Sequence, residues 1–188
     1  MLEQITTDIS QQGCTVVEHF LPTAIVNSLT QEAQQLELRR AGVGKARAVN
    51  EEIRGDHILW LETPSTSQQH YLDAIEQVRL SLNSTLQLGL FEFEGHIAHY
   101  PIGSFYRKHL DRFQQDNHRI LSCMLYLNQD WKAAQGGQLR LYSESENYLD
   151  VQPTGGTLVA FLSDQFWHEV LPATRDRYSI TGWLKSRS

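Results

Sequence analysis

Cysteine is scarce. The 188 residues hold two, Cys14 and Cys123, far apart and in apolar-rich stretches. They read as reduced core thiols of an intracellular protein, with one bridge between them as the less favoured alternative. Long hydrophobic runs are also missing. The longest, such as 157–162, fall far short of the ~20 apolar residues that a membrane-spanning helix needs. The first ten residues, MLEQITTDIS, have neither the basic nor the apolar region of a signal peptide. Basic charge is in deficit: 16 Lys and Arg against 22 Asp and Glu give a net charge of −6. Nucleic-acid binding normally requires a basic face, so this balance disfavours it. These absences lead to the expectation of a soluble cytoplasmic protein with no membrane and no nucleic-acid partner.

What is present divides into two parts. Residues 14–20 are β-branched and read as a first strand. Pro22 suits the first turn of a helix with Ile25, Leu29, Ala33 and Leu36 on its apolar stripe and Gly42 as its stop. Residues 43–56 are polar and irregular, a solvated loop or a mobile substrate loop that closes on its ligand. Residues 58–61 resume as a strand. Ser65 to Ser67 supply N-caps for a second helix with Leu72, Ile75, Leu82 and Leu86 inward and Gly89 at its end. From Phe91 the period changes to two. Strands are predicted at 91–100, 104–110, 119–127, 138–142, 148–152, 157–162, 167–171 and 177–184. Two helices followed by about eight short strands predict a mainly β fold, a double-stranded β-helix (jelly roll) backed by the N-terminal helices. It would be one domain over 1–188, with helical support and the substrate loop in 1–90 and the jelly-roll core in 91–184.

One pair of residues in the β-rich part suggests chemistry. His109-Leu-Asp111 reads His-x-Asp near a strand end, where alternation points both side chains the same way. An imidazole and a carboxylate side by side are two of the three ligands of a facial triad, the non-haem Fe(II) arrangement that leaves open positions. A single copy is weak evidence in a chain with 8 His. His168, in a later strand, is the best third ligand, although a lone His beside Trp167 is commonly a satisfied core residue. Arg177 opens Arg-Tyr-Ser-Ile-Thr-Gly-Trp, and alternation puts Arg177, Ser179, Thr181 and Trp183 on one face. If that face points inward, the guanidinium needs an anion, and a ligand carboxylate would serve. A surface Arg paired with Asp176 or Glu169 is the plain alternative. His96-Ile-Ala-His99 puts two rings on opposite faces of a strand and makes a poor chelate.

In order, these features resemble the 2-oxoglutarate/Fe(II) dioxygenases, and more closely the oxygen-sensing PHD/EGL-nine prolyl 4-hydroxylases. The strings that carry the resemblance are Ile53-Arg-Gly-Asp56 with Ile58 and Trp60, and Tyr100-Pro101 with Tyr106 and His109-x-Asp111. They continue in Met124-Leu-Tyr-Leu-Asn-Gln-Asp-Trp131, Gly136-Gly-Gln-Leu-Arg140, His168-Glu-Val and Arg177-Tyr-x-Ile-Thr-x-Trp183. They run from about residue 50 to 184. The pattern is that of a minimal, bacterial-type catalytic domain. The stretch between Tyr100 and His109 is one residue shorter than in animal members, 112–118 has its own composition, and no zinc finger or C-terminal helix is expected.

The resemblance implies that His109, Asp111 and His168 bind Fe(II). It implies that Arg177 holds the distal carboxylate of 2-oxoglutarate, helped by Tyr126, while Thr181, Leu139 and Trp183 line the pocket. Tyr100, Tyr106, Arg54, Asp56 and Arg119 would shape the approach of the substrate. The implied reaction is 4-hydroxylation of a prolyl residue in a protein or peptide, with O2 and 2-oxoglutarate consumed, succinate and CO2 formed, and ascorbate as reductant. A monomer is expected. Three alternatives stay open: a dioxygenase acting on another side chain, a free amino acid or a nucleobase; a non-catalytic jelly-roll binding module; and a cupin-like metal protein. The last is disfavoured because no His-x-His occurs.

Overall fold

The computed structural model describes residues 1–42, 53–112, 118–143 and 147–187. Three helices, α1 (Leu2–Gln12), α2 (Thr23–Gln35) and α3 (Thr66–Leu86), pack on one side of a seven-stranded antiparallel sheet. In chain order its strands are β1 (Cys14–Val17), β2 (Arg39–Arg40), β3 (His57–Trp60), β4 (Leu90–Tyr100), β6 (Arg119–Tyr126), β9 (Leu158–Leu162) and β11 (Arg177–Ser186). In space they run β1-β9-β6-β11-β4-β3-β2. A smaller sheet has the order β5-β10-β7-β8, with β5 (Tyr106–His109), β7 (Leu139–Tyr142), β8 (Tyr148–Val151) and β10 (Trp167–Val170). This is the two-sheet, helix-backed jelly roll expected from the sequence.

Alternation along the long strands feeds two separate cores. Ile97, Leu121, Cys123, Leu125, Ile180 and Leu184 join the helices in one cluster. Their sequence neighbours Ala98, Met124 and Tyr126 join Leu139, Leu141, Val170 and Phe161 in a second cluster between the sheets. Cys14 lies opposite Phe161 and Cys123 opposite Ala160, adjacent residues of β9 whose side chains leave on opposite faces. The two thiols are therefore on different sides of the sheet, and both are free.

The helices differ in detail from the sequence reading. Helix α1 was not anticipated: its apolar face is only Ile5 and Ile9 with Leu2, and Gly13, at φ 73°, stops it. Pro22 is the N-cap of α2, not part of its first turn, and the buried stripe is Val26, Leu29, Thr30 and Ala33. Gly42 does not end α2. The chain leaves the helix at Leu36, which is extended, and Leu36 and Leu38 then pack down on the core. Ser65 caps α3 through a reciprocal box with Gln68. Gln87, in the left-handed region at φ 55°, terminates it two residues before Gly89. Most of the 43–56 loop and of 112–118 lies outside the described residues.

Candidate metal centre

Register places the site. On the face of the large sheet that looks toward the small one, cross-strand neighbours form rows. One row is Val159, Met124, Thr181, His96 and Trp60. The next is Phe161, Ser122, Trp183 and Glu94, and on the other side Tyr126, Ser179, Ala98 and Ile58 follow one another. Arg177 faces Tyr100 at the end. The opposing sheet brings His168 directly across from His109.

His109, Asp111 and His168 each offer one ligand atom, and these atoms lie within 4.8 Å of one another. Strand β5 stops at His109, so Asp111 sits in a bend beyond it and its placement does not come from strand alternation alone. Its carboxylate instead spans the two histidines, with Oδ1 3.6 Å from His109 Nε2 and Oδ2 3.5 Å from His168 Nε2. Both Nδ1 atoms face backbone carbonyls, that of His109 toward Arg107 at 2.7 Å and that of His168 toward Phe166 at 3.1 Å. A proton on each Nδ1 satisfies these carbonyls and leaves the Nε2 lone pairs directed at the shared space. Burial pushes His168 down to about 4, against the pull of Asp111, so it is neutral near pH 7 and able to ligate. Burial alone would raise the Asp111 carboxyl. The two imidazoles and the Ser122 hydroxyl outweigh it and hold the group well below the ordinary carboxylate range. Ser122 donates to Asp111 Oδ2 at 2.7 Å and is itself 2.9 Å from the Ser163 hydroxyl.

Beside this cluster lies a buried cation. Arg177 is 2% exposed, and its guanidinium sits 5.0 Å from the ring centres of both Tyr100 and Tyr126. Its Nε donates to the Gly137 carbonyl at 3.0 Å. Gly137 has φ 73°, and a Cβ there would meet Trp131 and Ala173 at 3.0 Å and the Arg177 stem at 3.4 Å, so the turn needs glycine. No carboxylate among the described residues pairs with Arg177; Asp176 binds His99 and Glu169 binds Tyr142. The surface-pair alternative is thereby removed. The Tyr126 hydroxyl is buried beside the Arg177 guanidinium with no acceptor for its proton among the described residues, and burial, outweighing the pull of Arg177, pushes it up to about 12, so it keeps its proton. A buried guanidinium with free donors next to a free hydroxyl donor is complementary to a carboxylate. Leu139 packs in the same cluster, and the hydroxyls of Ser179 and Thr181 are 3.3 Å apart.

The mouth is aromatic and charged. Tyr106 stacks on His109 with ring centres 3.7 Å apart, and the Arg54 guanidinium lies 4.4 Å over Tyr106. Arg54 is clamped by both oxygens of Asp56 at 2.7 and 2.5 Å. Arg119 lies 3.5 Å over the Trp183 ring and reaches the Asp111 carbonyl. All thirteen residues singled out in the sequence thus fall in one continuous region between the sheets.

A family model described as the 2OG-Fe(II) oxygenase superfamily matches residues 95–185. A Pseudomonas putida prolyl-4-hydroxylase structure superposes with a TM-score of 0.93 at 42% identity over the whole of both chains. The chain belongs to the 2-oxoglutarate/Fe(II) oxygenase superfamily. It is 30% identical to human prolyl hydroxylase EGLN3 over 97% of this chain and 82% of that protein. It is also 30% identical to human Egl nine homolog 1, over 97% of this chain but 46% of the relative, so it spans about half the length of that protein.

The donor set fits the family's cofactors: two imidazoles and a carboxylate suit Fe(II), and the Arg177–Tyr126 pair suits the distal carboxylate of 2-oxoglutarate. Sequence reasoning missed parts of this oxygenase site. Ser122, which the sequence did not single out, holds the metal-side carboxylate. Ser163 and the Gly137 carbonyl carried no signal, since their roles arise from contacts between distant strands. His96 was dismissed as half of a poor chelate, yet it is buried on the wall of the site.

Proposed function

We propose that this protein is a 2-oxoglutarate- and Fe(II)-dependent dioxygenase that hydroxylates a prolyl residue of a protein or peptide. The observation that carries the reading is the intact triad beside a buried, anion-seeking Arg177–Tyr126 pair; a decayed binding module has no reason to keep both. The relatives' prolyl hydroxylase activity supports the substrate class.

Iron, 2-oxoglutarate and O2, when bound, supply the oxidising power for an unactivated ring C–H bond, with succinate and CO2 as co-products. His109 and His168 would present Nε2 to the metal, their rings fixed by the Arg107 and Phe166 carbonyls. Asp111 would complete the set, oriented by Ser122. Arg177 and Tyr126 would hold the distal carboxylate, while Leu139, Thr181 and Trp183 exclude water around the chain between its ends. Tyr100, Tyr106, Arg54, Asp56 and Arg119 would frame the mouth, and the Arg54–Asp56 pair would hold the Tyr106 ring in place against His109. Ascorbate would serve as reductant for metal oxidised without substrate. The net charge of −6 disfavours a nucleic-acid partner, and we take the working form to be a cytoplasmic monomer.

The test is to incubate the protein anaerobically with Fe(II) and 2-oxoglutarate and then admit oxygen. Succinate is measured with and without proline-containing peptides or cell lysate, and products carrying one added oxygen are located by mass spectrometry. Peptide-dependent succinate and a hydroxyproline product are expected. Succinate that rises only with a free amino acid would reassign the substrate, and no succinate under any condition would leave a binding module.

A further inference from the structure

His96 lies on the wall of the site, yet none of the roles described so far uses its imidazole. It lies on β4, facing Thr181 on one side and Trp60 on the other across the two ladders. Alternation puts it on the same face as Ala98 and Tyr100, which sit in the cluster between the sheets. Its ring is 4.9 Å from Trp60, edge to face, and 5.7 Å from Trp183. It is 4% exposed, and its Nδ1 is buried with no partner among the described residues. The Trp183 Nε1 beside it is in the same condition. A polar atom in such a place carries a desolvation cost that an apolar side chain of similar size would avoid. The strand needs no imidazole: Ala98, the next residue on the same face of β4, is apolar and equally buried.

We propose that His96 is a specificity-determining residue of the substrate pocket, where its neutral imidazole forms one hydrogen bond to a peptide amide group of the substrate next to the hydroxylated residue. The inference rests on the prolyl hydroxylase reading above. Trp60, edge to face, and Trp183, tilted, flank the imidazole. The unpaired Nδ1 and the indole N–H of Trp183 are neighbouring buried polar atoms that lack a partner among the described residues and could pair with a peptide unit. A neutral partner is specified because burial pushes His96 down to about 4, so it carries no charge near pH 7 and would not attract a carboxylate.

The test compares wild type, His96→Leu and His96→Asn, the second placing a polar group near the position of Nδ1. A peptide that the wild type hydroxylates is used, with KM measured separately for peptide and for 2-oxoglutarate, and thermal melts recorded on the metal-free proteins. His96→Leu should raise the peptide KM about five- to tenfold, the range of one lost hydrogen bond, with the 2-oxoglutarate KM changed less than about twofold. The same variant should melt higher than wild type, because an unpaired buried polar atom has gone. His96→Asn should recover most of the peptide affinity. An unchanged peptide KM in His96→Leu, equal losses in the Leu and Asn variants, or a shift confined to 2-oxoglutarate would each overturn the proposal. A wild type that hydroxylates no peptide would instead defeat the underlying reading.

Discussion

The two faces of the large sheet are built from the same strands and differ in what burial leaves unfinished. On the helix side, Ile97, Leu121, Leu125, Ile180 and Leu184 make a core whose only demand is to exclude water. On the other side, the alternate residues of the same strands include Ser122, Tyr126, Ser179, Thr181, His96 and Trp183, most of them equally buried. Tyr126, His96 and Trp183 each keep a polar atom without a partner, and Arg177 keeps a charge without a counter-charge among the described residues. One face stabilises the fold, and the other carries a cost that a ligand can offset. The helix side has exceptions in Tyr71 and His57, whose hydroxyl and Nδ1 are also buried and without a partner among the described residues.

The largest break in this comparison should come from Arg177. Replacing it with Leu removes an unpaired buried charge, so the metal-free protein should lose little stability. The 2-oxoglutarate KM should rise by about 30-fold or more, the effect of deleting one partner of a buried charge pair. Near-normal turnover at low 2-oxoglutarate would show that the cation faces something else. The surface arginines give the contrast. Arg140 is already held by Asp150 at 2.7 Å, and cutting an exposed pair of this kind is worth little.

Ser122 comes next. Ser122→Ala removes the donor that orients Asp111 and leaves its Oδ2 short of a bond. Apparent Fe(II) affinity should fall about 10- to 100-fold, with little change in the 2-oxoglutarate KM once metal is saturating. Titration of metal against succinate formation reads this directly, and an unchanged midpoint would show that the two histidines alone orient the carboxylate.

How far the sequence showed this asymmetry depends on the element. The strands from 91 onward were legible to within a few residues because their apolar residues alternate and turn residues separate them; those of the large sheet also bury both faces against different partners. The triad was legible because His-x-Asp, a distant His and a following Arg are few residue types in a recognisable order. Helix α1 was not, since two isoleucines among polar residues make a thin stripe. Nor were the stops of α2 and α3, where Leu36 and Gln87 end the helices and the nearby glycines do not. His96 was unreadable for a different reason. Its meaning depends on lying opposite Thr181 and Trp60, and cross-strand register is a property of the sheet and not of the local string.

Acid should separate the two faces as well. Burial holds both His96 and His168 down to about 4, below the ordinary 6.5. The unfolded chain therefore takes up these two protons at a higher pH than the native one. The stability involved is complete above about pH 6.5 and is lost as pH falls toward 4, by about 1.4 kcal/mol per pH unit for each group. Denaturant melts of the metal-free protein across this window should show the slope, and His96→Leu should remove one group's share of it. An unaltered slope would mean that His96 titrates as it does in water.

The smallest effect is the sharpest comparison, because it sets one hydroxyl against another. Tyr71 and Tyr126 are both fully buried and both lack a partner for the hydroxyl among the described residues. Tyr71 belongs to the helix-side cluster, where its ring packs edge-on against Phe93 at 5.8 Å. Tyr126 lies under Arg177. In the metal-free protein, Tyr71→Phe and Tyr126→Phe should each leave stability unchanged or raise it by up to about 1 kcal/mol, since each removes an unsatisfied group. Only Tyr126→Phe should raise the 2-oxoglutarate KM, by about two- to tenfold for one lost hydrogen bond. A matching loss in Tyr71→Phe would show that the hydroxyl acts through packing across the sheet. A Tyr126→Phe protein that melts clearly lower would show that this hydroxyl is already bonded before 2-oxoglutarate arrives, and the contrast between the two faces would then fail at its most exposed point.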